Sequence, residues 1–186
     1  MSFLPQDYSP PTTVGNYMKL MPGANRFRIM GSFNDKPPTA VMGWEAWDTN
    51  EEGGRIPVRF RMADCPPKGS FEEDAKHFMA YTVYNVGLKT FQILQLTQKS
   101  ILDELNKMFS DSDWGNPSGD EGYDIEIFRV GEGKETKYQV QPKPRAKLPV
   151  GVAELVRPVN LDAFFTGEDP FEFELKSEEE DKGPGF

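Results

Sequence analysis

Arg55-Ile-Pro-Val-Arg-Phe-Arg-Met62 holds the cleanest alternation in the chain: Ile56, Val58, Phe60 and Met62 share one parity, and Arg55, Arg59 and Arg61 share the other. A period of two over eight residues predicts a half-buried strand, with one face toward a core and arginines on the opposite face. The same pattern recurs upstream, where Phe27 and Ile29 alternate with Arg26, Arg28 and Met30. These two segments set the expectation for the whole chain, a β domain that gathers arginines on strand faces.

Further apolar runs extend the pattern. Tyr17–Met21 and Asn25–Met30 are separated by the turn signal Met21-Pro-Gly-Ala, and Thr39–Trp47 follows. His77–Asn85 is apolar on both parities, and Asn85-Val-Gly-Leu-Lys turns it into a hairpin partner, Thr90–Leu96. Ile101, Leu102, Leu105, Met108 and Phe109 then fall on one helical face, with Thr97 as the expected cap. Tyr123–Val130 and Thr136–Gln141, joined by Gly131-Glu-Gly-Lys, read as a second hairpin. Strands, a late helix and a closing hairpin predict a mainly β fold, an OB-fold-like small barrel with one or two short helices. A β-sandwich with one helix is the alternative.

Composition agrees with this reading. Among 186 residues there are 16 Pro and 17 Gly, which disfavour long helices, and 14 Phe, 6 Tyr and 3 Trp, too many rings for a wholly disordered chain. One cysteine, Cys65, forbids an internal disulfide or a thiolate zinc cluster, and the single histidine, His77, cannot complete a four-ligand site, so neither metal nor cofactor is expected. No apolar run approaches about 18 residues, so no membrane span is expected. Met1-Ser-Phe-Leu-Pro-Gln-Asp lacks the basic stretch of a secretory leader.

The net charge of −9 argues at first against a nucleic-acid ligand. It is unevenly spread. Tyr17–Ser100 carries eleven basic residues to nine acidic, whereas Asp103–Glu126 carries eight acids and one lysine, and Glu168–Lys182 eight acids and two lysines. The expected organisation is a loose arm over 1–16, a domain over 17–142, and a Pro-rich connector with a short packed segment over 143–166. The acidic tail, 167–186, is expected to be solvated and to serve interaction. The Leu161–Phe165 cluster is expected to pack back on the domain.

Cations on a strand face, interleaved with rings, are what a single-stranded nucleic-acid site needs: cations follow the phosphates, and each ring stacks on a base for about 1–3 kcal/mol. Strand parity nominates Arg26, Arg28, Arg59, Arg61 and Lys76 for phosphates and Trp44, Trp47, Phe78 and Tyr84 for bases. Trp44 and Trp47, three apart, point to opposite faces unless Gly43 marks a bulge. Phe171, Phe173, Glu178, Glu179, Glu180, Asp181 and Phe186 form the candidate partner-binding tail. Two other classes compete. One is an acidic adaptor or DNA-mimicking inhibitor. The other is a Mg²⁺-dependent nuclease using Asp124 with Glu135 and Lys137.

The ordered series Asn25-Arg-Phe-Arg-Ile, Gly43-Trp-Glu-Ala-Trp, Val58-Arg-Phe-Arg, Lys76-His-Phe-Met-Ala, Ile93-Leu-Gln-Leu-Thr-Gln-Lys-Ser, Asp113-Trp-Gly-Asn-Pro, Tyr123-Asp-Ile-Glu-Ile-Phe-Arg-Val-Gly and Thr136-Lys-Tyr-Gln-Val-Gln-Pro resembles the phage-encoded single-stranded DNA-binding proteins. The resemblance spans roughly residues 17–142 and the character of the tail. It implies an OB-fold core with an acidic C-terminal tail. It also implies a non-catalytic role coating DNA in replication and recombination, in the cytoplasm of an infected bacterium, with replication proteins recruited through the tail. Met79 departs from it, standing where a tryptophan is expected. The related class with a zinc-binding insert is excluded by the single cysteine.

Overall fold

The central strand explains the architecture. Lys76–Asn85 (β4) is rich in β-branched and aromatic residues and buries both faces, because it pairs on both edges and is covered from both sides. Around it, in a computed structural model that describes residues 15–172, lie Gly23–Ile29 (β1), Ala40–Thr49 (β2), Arg55–Arg61 (β3), Thr90–Leu96 (β5), Asp124–Val130 (β6) and Lys137–Pro142 (β7). They form one antiparallel sheet in the order β3-β2-β4-β1-β6-β7. Along one edge of β4, β2 pairs with Ala80 and its neighbours and β1 takes over from Val83, while β5 pairs along the other edge. The mainly β expectation holds. Among the described residues no ladder joins β7 or β3 back to β5.

Two cores lie on opposite faces of this sheet. One is closed by the helix Lys99–Ser110 (α1), whose Ile101, Leu102, Leu105 and Met108 pack on Phe27, Ile29, Tyr81, Val83, Ile125 and Ile127. The other is closed by the chain after residue 151, an arm containing the short helices Val152–Leu155 (α2) and Ala163–Thr166 (α3). Its Val159, Leu161 and Phe164 cover Val41, Phe78, Ala80, Phe91 and Ile93. Each such side chain stabilises the fold by roughly 1.5–3 kcal/mol on full burial. The arm is therefore part of the folded unit. The Leu161–Phe165 cluster packs back as the sequence suggests.

Several local expectations change. Tyr17–Met21 is no strand: it is held by a single parallel bridge from Tyr17 to Ile93. Gly15 and Asn16 are tied to β5, with the Ile93 N–H donating to the Asn16 carbonyl at 2.9 Å and Gln92 Nε2 to that of Gly15 at 2.7 Å, so they belong to the domain. At α1, Gln98 rather than Thr97 stands at the cap, its carbonyl accepting from the Ile101 and Leu102 N–H groups. Gly43 keeps regular register with Phe78 and Arg61, so there is no bulge there.

Candidate nucleic-acid interface

Directly paired residues of antiparallel strands share a face. Arg28 pairs with Tyr84, Gly43 with both Phe78 and Arg61, and Glu45 with both Lys76 and Arg59. Hence Arg26, Arg28, Arg59, Arg61, Lys76, Phe78 and Tyr84 occupy one face of the sheet, as their parity implies. Trp47, paired with Pro57, stands on that face too, under the Arg55 guanidinium at 4.5 Å. Trp44 points to the other face, against the His77 ring at 5.6 Å, with its indole N–H donating to the Met62 carbonyl at 3.2 Å.

Accessibility divides the set. Arg28 is 2% exposed; its Nε meets Asp124 Oδ1 at 2.7 Å, and its two terminal nitrogens donate to the carbonyls of Gly119 at 2.9 Å and Ala146 at 2.8 Å. It is a structural pin, buried too deeply to meet a phosphate. Phe78 is fully buried between the rings of Phe164 and Phe165, and Tyr84 is buried as well, so neither is open to a base. Parity groups these residues on one face, as observed, but their burial, of Phe78 by Phe164 and Phe165 and of Arg28 by Asp124, Gly119 and Ala146, leaves them closed to a ligand. Arg59 is mostly covered, bound to Glu45 at 3.0 Å and Gln95 at 2.8 Å. Arg26, Arg61 and Lys76 stay well exposed.

What covers the face is chemically suggestive. Asp162 takes both terminal nitrogens of Arg61, at 2.5 and 2.9 Å, and the Phe165 ring lies 4.8 Å under the same guanidinium. The Phe164 ring lies 4.6 Å from the Arg59 guanidinium carbon and 6.4 Å from the Tyr17 ring. Gly43 admits Phe165 to the sheet: a Cβ there would stand 2.8 Å from that ring. The hydrogen bond from Arg61 holds the Asp162 carboxyl below its ordinary range and raises the arginine. Burial raises the Tyr17 phenol, opposed by Arg59 and aided by Asp169. Arm residues Asp162, Phe164 and Phe165 had no part in the sequence-based site. The only signal for them was the apolar cluster itself.

Phe171, expected as a tail anchor, packs instead against the second core under the Arg157 guanidinium at 4.2 Å. Phe173, Glu178, Glu179, Glu180, Asp181 and Phe186 lie outside the described residues. The nuclease residues do not converge. Both Asp124 oxygens are bound, by Arg26 and Arg28, while Lys137 pairs with Val130 at the far end of β6, about 20 Å away at strand rise. Among the described residues no group of three or more His, Cys, Asp or Glu side chains is placed to hold a metal ion. No protein-family model matches the chain, and no curated protein matches it.

Proposed function

We propose that the protein binds single-stranded DNA without catalysis, coating it during phage genome replication and recombination, and that its C-terminal arm and acidic tail modulate this binding. One observation carries the reading: on the cationic face of the sheet, the chain sets a carboxylate where a phosphate would sit and rings where bases would stack, with Arg61 clamped between Asp162 and Phe165. A single strand needs the same two contacts, cation to phosphate and ring to base. The tail beyond Glu172 supplies further carboxylates to compete for the cations, and a surface for replication proteins.

The test is fluorescence anisotropy with a labelled oligodeoxythymidylate across a salt series. Three exposed cations, Arg26, Arg61 and Lys76, at about −0.7 per phosphate give a log–log slope near −2. Absent binding, or binding indifferent to salt, overturns the reading. Binding to basic proteins with no affinity for the oligonucleotide would favour the adaptor instead.

A further inference from the structure

The arm covers only part of the cationic face. Beyond the buried Arg28–Asp124 pair, the same face over β1, β6 and β7 lies open: Ala24, Arg26, Phe128, Val130, Lys137, Gln139 and Gln141 are all exposed. Outward positions of a sheet open to water are normally polar, and here Phe128 is 40% exposed in the middle of a regular ladder. Its direct neighbours are Ala24 on β1 and Gln139 on β7. Alanine leaves the ring uncovered on one side, and the glutamine puts a carboxamide on the other.

Charge complements the ring. Arg26 and Lys137 stand one row away along the flanking strands, at diagonal positions that long side chains reach across. Arg26 gives Asp124 only its Nε, and Lys137 makes no ion pair among the described residues. Setting aside the buried Arg28–Asp124 pair, this half of the face holds three cations, Arg26, Lys137 and Lys143, against one carboxylate, Glu126, already paired with Lys143.

We infer that Phe128 is a base-stacking platform on the uncovered half of the sheet, taking one nucleobase of a single strand over Ala24 while Arg26 and Lys137 hold the flanking phosphates. Gln139 lies within reach of the base edge. The inference rests on the single-strand reading above and adds a contact that needs no displacement of the arm.

The experiment compares wild type, Phe128→Ala and Phe128→Leu on oligodeoxythymidylate, and repeats it on a strand of equal length with abasic sites throughout. Losing one stacked base should weaken Phe128→Ala by about five- to 150-fold. Phe128→Leu, apolar but without the ring, should fall between it and wild type. On the abasic strand all three should bind alike, because only phosphate contacts remain. If wild type binds thymidylate and Phe128→Ala binds equally well, the stacking platform is wrong and the single-strand reading stands. A loss that persists on the abasic strand also overturns the platform, since the ring would then act through structure. If wild type binds neither strand, both readings fall.

Discussion

Arg28 and Arg61 carry the same guanidinium on the same face of the sheet and do different work. Arg28 is sealed against Asp124, Gly119 and Ala146, so removing it leaves buried acceptors without a partner. Breaking such a pair costs about 3–5 kcal/mol. Arg28→Ala should therefore lower the unfolding free energy strongly, whereas Arg61→Ala, half-exposed, should change it by less than about 1 kcal/mol. Equal effects in urea titrations would show that burial does not separate the two. The sequence placed both arginines on one face, because period-two alternation is a local property. It could not show that Arg28 is buried, because Asp124 and Ala146 lie far along the chain from it.

Legibility fails in the same way at the scale of elements. The seven strands, the helix and the apolar character of both faces of β4 were readable from spacing, since period-two and helical patterns are local, although Tyr17–Met21 shows that an apolar run alone does not make a strand. The arm's docking position was not, because it follows from complementarity between Leu161–Phe165 and a face assembled from β2, β3, β4 and β5. That docking has a polar latch, Asp162 on Arg61. Asp162→Asn should weaken the latch and raise affinity for a single strand several-fold; unchanged or weaker binding by anisotropy would show that the arm does not compete. The latch also has a pH signature. Because Arg61 depresses the Asp162 carboxyl, its contribution is complete above the ordinary carboxylate range and is lost as pH falls through the depressed value. The protection of residues 160–167 against hydrogen exchange, taken relative to the intrinsic rate at each pH, should fall only in that acid window, and a loss of protection at neutral pH would contradict the assignment.

For the whole molecule, the boundary of the tail proposed to compete moves. Pro170 is buried and accepts the Asn160 N–H at 2.9 Å, and Phe171 packs on the second core, so the segment up to Glu172 belongs to the folded unit. Truncation after Glu172 should tighten binding, most clearly at low salt where screening is weak. Truncation after Thr166 should lower the melting temperature below that of the shorter deletion, because it also removes Pro170 and Phe171. Weaker binding by the shorter deletion, measured at two salt concentrations, would contradict a competing tail. The second core also carries a consequence for synthesis. Its sheet side is complete once β5 has been made at Leu96, but its cover arrives only with Val159, Leu161 and Phe164. At about 5–20 residues per second, the ribosome leaves Val41, Phe78 and Phe91 bare for roughly 3–13 seconds in every newborn chain. The closing of that core is timed by translation and not by the rate at which the sheet folds.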